Sequence, residues 1–160
     1  ILIPANITFL AITFMQSDFT TLAKEHQNKN FLKNYIYNYY KIFIPICLVI
    51  FTIGYLLKDD IVKMVSGGQY QDLGYPFLIL LAAFLLNILL RNLYGNLLSA
   101  VGLMKVNTIV SASVLVILVG TSFFLVPIYG VVGMAYSMLF SLQFTGLILM
   151  LSFFSYLKKL

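Results

Sequence analysis

The stretch FFLVPIYGVVGMAYSM, residues 123–138, decides how the chain is folded. An apolar run meets Pro127, then Tyr129-Gly130 and Gly133, and then becomes apolar again. Proline lacks an N–H, and glycine enters conformations closed to other residues, so together they mark a turn between two apolar segments. What surrounds that turn tells whether it is a corner of a soluble core or of a membrane span.

The 160 residues are 61% hydrophobic and 9% charged, with a mean hydropathy of +0.98. Soluble domains average about 45–50% apolar and about 25% charged. A water-soluble fold of this length leaves too much surface open to hide so many apolar side chains. Lipid must be part of the solvent. The net charge of +5 does not mark a nucleic-acid face, because the lysines are scattered among loops rather than gathered on one helix. Cys47, the single cysteine, sits in an apolar run and reads as packing; it excludes an internal disulfide framework. The chain begins Ile-Leu-Ile-Pro, without Met and without the pattern of a signal peptide. It is expected to be a piece of a longer protein, cut inside a span, with Tyr156–Leu160 as a cytoplasmic C-terminus.

A spanning helix needs about 20 mostly apolar residues. Five segments approach that: about 1–23, 42–57, 76–98, 106–126 and 131–156. The aromatic Tyr35–Tyr40 run extends the second at its start, and Pro76 opens the third, where a missing N–H does least harm. The expected fold is an all-α, polytopic membrane bundle with a single domain over 1–160. The connections differ in charge. Lys24, Lys29, Lys33, Lys41, Lys105, Lys158 and Lys159 fall on one side; Lys58 and Lys63 fall on the other with Asp59, Asp60 and Asp72. Basic excess marks the cytoplasmic face, so the chain is expected to start outside, cross five times and end inside. The opening stretch then lies on the outer face, with Pro127 ending one span and Gly130 making the turn.

Residues 58–75 form an outer loop too polar to span. Asp59 or Asp60 can cap a short interfacial helix there, ended by Ser66-Gly67-Gly68; a plain solvated loop is the other reading. Residues 25–41, EHQNKNFLKNYIYNYYK, join basic and aromatic residues at a membrane end and fit anionic headgroups, with no nucleic acid implied. His26 in that loop has no second histidine, cysteine or carboxylate pair to make a metal site. No phosphate-binding loop or nucleophile–base arrangement is present, so an enzyme is not expected, and neither is a cofactor.

Polar residues inside spans carry the functional signal. In LLNILLRNLYGNLL, residues 85–98, helical spacing puts Asn87, Arg91 and Tyr94 on one stripe. An intramembrane arginine normally faces protein or a polar cavity. Arg91 lies about 22 Å along the helix from Pro76, nearer the cytoplasmic face. Either it meets an anionic substrate through its planar fork of donors, or its stem snorkels to the inner headgroups. Asn6, Thr13 and Ser17 make a milder stripe on the first span. Asp18 at its inner end is either a proton-coupling site or the mark of the helix end. Ser137, Ser141 and Thr145 recur every four residues on the fifth span and read as close packing.

Three short motifs occur in a recognisable order: Ser-Gly-Gly-Gln-Tyr at 66–70, Leu-Leu-Ser-Ala-Val-Gly-Leu-Met-Lys at 97–105, and Val-Pro-Ile-Tyr-Gly-Val-Val-Gly-Met-Ala at 126–135. Their order, spacing and sidedness resemble the C-terminal region of polysaccharide (O-antigen and capsule type) flippases, within the superfamily of multidrug, oligosaccharidyl-lipid and polysaccharide exporters. The resemblance implies the last five of twelve helices, in two six-helix bundles around a cavity. It implies movement of polyprenyl-diphosphate-linked oligosaccharide from the cytoplasmic to the outer leaflet of the bacterial plasma membrane. Cationic cavity residues would hold the diphosphate or acidic sugars, a role that Arg91 matches in kind, and Asn87 and Tyr94 are the expected companions. The implied partners are the lipid-linked oligosaccharide, membrane lipids and polysaccharide polymerase machinery. A related multidrug exporter, a peptidoglycan-precursor flippase and a non-transporting membrane subunit are the other readings of the same chain.

Overall fold

A computed structural model describes residues 2–67 and 73–160, and within them every regular element is helical. The elements are α1 (Leu2–Lys24), α2 (Lys29–Leu56), α3 (Lys58–Ser66), α4 (Gly74–Asn87), a π-turn (Ile88–Asn92), α5 (Leu93–Ala100) and α6 (Met104–Lys159). Among the described residues, three helices are long and apolar enough to cross a membrane: Lys29–Leu56, the continuous rod Gly74–Ala100, and Met104–Lys159. α1 stays outside that group; Gln16, Ser17 and Asp18 dilute its C-terminal half. A straight helix as long as α6 would reach about 84 Å, far beyond the roughly 30 Å of a hydrocarbon core. It does not run straight. Gly130 has φ 57° and ψ −129°, so α6 is two arms, 104–129 and 131–159, folded at the stretch read first in the sequence.

That corner differs in detail from the expectation. Pro127 does not end the first arm; it sits inside the last helical turn, and the break comes at Gly130. The fixed φ of proline is compatible with helix, whereas the Gly130 pair of angles is open essentially to glycine alone. Gly130→Ala should therefore cost roughly 1–3 kcal/mol. The result expected is a lower midpoint in thermal unfolding of the detergent-solubilised protein.

The other ends follow from their residues. α2 begins much earlier than the apolar run does, because the Asn28 side chain accepts from the Phe31 N–H at 3.1 Å and caps it. The Lys-, Asn- and Tyr-rich stretch is thus helix rather than loop. α3 forms where a short helix was one of two readings. Asp59 and Asp60 lie within its first turn and neither caps it, while left-handed Gly67 (φ 60°) closes it. Gly68, Gln69 and Tyr70 of the first motif, and Asp72 of the loop charge pattern, lie outside the described residues. Between α5 and α6, Leu103 N–H donates to the Leu98 carbonyl (2.8 Å) and Gly102 N–H to that of Ser99 (3.2 Å). With Gly102 at φ 83°, this is a Schellman close.

The rod 74–100 is the centre of the bundle. Leu81, Leu85, Leu93 and Leu97 on it join Met15 and Leu22 of α1, Tyr39 and Phe43 of α2, and Leu149 and Phe153 of α6 in one core. In lipid, which is as apolar as leucine, helices of this kind would associate through close packing rather than through expulsion of water. Small residues supply the closeness. A Cβ on Gly54 would run into the Leu81 side chain, and one on Gly133 into the Leu125 backbone carbonyl. Ser137, Ser141 and Thr145 are fully buried on the second arm of α6, as the packing reading of their spacing requires. Their hydroxyls donate to the carbonyls of Gly133, Met138 and Ser141, one turn back on the same helix. Thr13, Thr52, Thr108 and Thr121 do the same with Phe9, Leu48, Met104 and Ile117. The first arm of α6 is far less enclosed, with Phe123 at 76% and Val116 at 73% exposure.

Candidate functional site: a donor-lined cavity beside the π-turn

Where α1, the rod and the first arm of α6 meet, they leave a cavity of about 200 Å³. Ile12 forms its apolar wall. Its polar walls are Arg91 and Asn92 at the end of the π-turn, Gly95 and Asn96 on α5, and Asn107 and Ser111 on α6. The turn at Gly102 folds α6 back against α5, which is why residues 107 and 111 face 92 and 96. Gly95 makes room for this: a Cβ there would come within 3.0 Å of Asn107 Oδ1.

The hydrogen-bond inventory is uneven. Arg91 Nη2 donates to Ser111 Oγ at 3.2 Å, and Ser111 Oγ reaches Asn107 Oδ1 at 3.5 Å. Asn107 Nδ2 donates to Ser99 Oγ (2.9 Å), which donates to the Gly95 carbonyl (2.9 Å). Asn96 Nδ2 donates to the Asn92 carbonyl at 2.9 Å. Arg91 Nε and Asn92 Nδ2 are buried without an acceptor. A buried donor with no partner normally costs about 1–3 kcal/mol. No carboxylate lines the cavity. Positive charge, spare donors and a shortage of acceptors suit one kind of occupant: an oxyanion such as a phosphoryl group, held by charge-assisted bonds to the arginine fork.

The sequence-based site is therefore split. Arg91 lines the cavity, but Asn87 and Tyr94 do not stand beside it. Asn87 is 5% exposed with its Oδ1 unpartnered, and Tyr94 is 2% exposed, its hydroxyl 3.2 Å from that of Tyr40. The expected stripe does not form because the π-turn lies across it and adds a residue to the helical phase. Asn92, Asn96 and Asn107 carried no expectation, and Ser111, which reads from sequence as close packing on the fourth span, lines the cavity instead. Their signal was present, since 92 and 96 share one face and 107 and 111 share another, yet nothing joined the two faces before the Gly102 turn was seen.

The remaining candidates lie elsewhere. Asp18 is half-buried and is the acidic neighbour of the Tyr35 hydroxyl on α2, with no hydrogen bond of ordinary geometry between them. It is not part of the cavity wall. Asn6 is exposed, and Thr13 and Ser17 bond their own helix. Cys47 is buried with Sγ 3.8 Å from the Leu85 carbonyl. His26 is not freely solvated: Nδ1 bonds the Ala23 carbonyl (2.9 Å), and Tyr156 donates to the His26 carbonyl (3.1 Å), tying the C-terminal arm to the α1–α2 connection. Among the described residues no three of His, Cys, Asp or Glu gather as metal ligands would. The chain matches no protein-family model, no curated protein and no solved structure, so the case for what it does rests on its own residues.

Proposed function

We propose that the chain is the C-terminal part of a bacterial plasma-membrane flippase that moves polyprenyl-diphosphate-linked oligosaccharide to the outer leaflet. In this reading α1, α2, the rod 74–100 and the two arms of α6 are five crossings, the last five of twelve. α3 lies on the outer interface, and Lys158 and Lys159 stay in the cytoplasm. The observation that carries the reading is the cavity: an arginine with spare donors and no carboxylate in the lining, set between largely apolar helices. The three ordered motifs support it independently.

Transport follows by alternating access. Arg91 and Asn92 hold the diphosphate end in a space the bilayer core cannot provide, while rocking of the bundles exposes that space to one leaflet and then the other. No bond is made or broken, so the protein is not an enzyme and needs no cofactor. A multidrug exporter for organic cations is disfavoured by the same charge, whereas a peptidoglycan-precursor flippase shares the diphosphate and stays as the second reading. A non-transporting scaffold would have no use for unpaired donors. Deletion of the full-length gene should make lipid-linked glycan accumulate on the cytoplasmic side, measured by protection of the glycan from external glycosidase in spheroplasts. Normal surface glycan after deletion would remove this substrate.

A further inference from the structure

The helix that carries Arg91 changes register in its middle. Ile88–Asn92 is a π-turn with α-helix on both sides. Such a turn holds one residue more than an α-turn and lasts only where neighbouring groups hold it open. Two hydroxyls from α2 meet it here: Tyr39 donates to the Ile88 carbonyl at 3.0 Å and Tyr40 to the Leu89 carbonyl at 3.1 Å. Tyr39 is 1% exposed, and its ring stacks on Phe43 at 4.3 Å, so its hydroxyl is fixed in place. α6 closes on the same turn through Gly146, where a Cβ would lie 3.0 Å from Leu90 Cβ and 3.2 Å from the Arg91 nitrogen.

The register decides where Arg91 points. In an uninterrupted α-helix it would share the buried face of Asn87, one turn earlier. One residue more in the turn rotates everything beyond it by about 100° relative to α4. That rotation lets residues 74–87 keep their apolar packing while 91, 92, 95 and 96 face the cavity.

We infer that Tyr39 and Tyr40 are positioning residues: they hold the π register, and the register aims Arg91 and Asn92 at the oxyanion. Relaxation to α-helix advances the residues past the turn by about 100°. That carries Asn92 to the packed direction now held by Leu93 and Arg91 to the direction now held by Asn92. The inference rests on the cavity being the substrate site, but its test needs no transport. In the full-length protein carrying Cys47→Ala, the rate at which a small neutral methanethiosulfonate modifies Asn92→Cys is compared with the rate at Asn107→Cys. Adding Tyr39→Phe and Tyr40→Phe should slow modification at position 92 by about ten-fold, as two lost hydrogen bonds imply. Position 107, on the opposite wall, should keep its rate. An unchanged rate at 92 overturns the inference, and so does a parallel change at both positions, which reports a loosened cavity rather than a turned helix. If the double variant does not fold, Tyr40→Phe alone should slow position 92 by about three-fold, and no slowing overturns the inference. Normal glycan export after gene deletion would remove the proposed substrate and leave the labelling result standing, so the two failures are distinct.

Discussion

Gly133→Ala is expected to unfold the corner of α6. The added methyl would fall on the Leu125 carbonyl and crowd the Val126 nitrogen at 3.0 Å, and these are backbone atoms. A flexible side chain could swing aside; a helical carbonyl cannot move without prising the two arms apart at Gly130. Overpacking typically costs 1–3 kcal/mol, and with backbone as the obstacle about 3 kcal/mol is the expected value. At roughly 2–4 °C per kcal/mol for a chain of this size, the thermal midpoint should drop by about 6–12 °C. Gly120→Ala is the matched control, because a Cβ at Gly120 meets nothing. A Gly133→Ala midpoint within a degree of that control would mean that the arms do not pack as described.

Arg91→Ala should reduce glycan export by about 10- to 150-fold at equal expression, which is what loss of a charged hydrogen-bonding group worth about 1.5–3 kcal/mol amounts to. The informative comparison is with lysine. If Arg91 snorkels to inner headgroups, lysine does so equally well, and Arg91→Lys should export normally. If Arg91 binds an oxyanion, lysine keeps the charge but loses the fork that serves both Ser111 and the ligand, so export should fall between the two. Lys105→Ala, an exposed residue beside the Gly102 turn, should be indistinguishable from the parent. Export is read as glycan reaching the cell surface. Full activity of Arg91→Ala would leave the cavity without its proposed role.

Much of the architecture was legible because it is written in long, one-sided signals. Apolar runs marked where the helices lie, three of them long and apolar enough to span among the described residues, and Pro127 with Gly130 marked the fold of α6 within three residues. The errors have local causes. Asn28 caps a helix through residues that look like loop, since lysine, asparagine and tyrosine are all compatible with helix when a cap starts it. Asp59 and Asp60 suit a helix start equally well at the cap or in the first turn, where they meet the positive end of its dipole. The cavity was legible only through Arg91. Its other walls come from a different helix, and a π-turn has no sequence signature: ILLRN is as good an α-helix as its neighbours. What selects it is the pair of tyrosines 49 residues earlier in the chain, a relation that exists only in three dimensions.

The serines and threonines that bond their own helices bear on movement. A hydroxyl that donates to the carbonyl one turn back keeps only its acceptor capacity across an interface, so Ser137, Ser141 and Thr145 donate nothing to the rod they face. Sliding the second arm of α6 along the rod then exchanges dispersion contacts but also breaks the bonds from Gln143 Nε2 to the Ala83 carbonyl (3.0 Å) and between the Tyr75 and Tyr136 hydroxyls (2.7 Å). The cross-helix polar bonds of Tyr39, Tyr40 and Arg91 gather around the π-turn and its cavity instead. The bundle is thus fastened where a ligand would sit, and Gln143 and Tyr136 are the ties beside the packed face where Ser137, Ser141 and Thr145 stand.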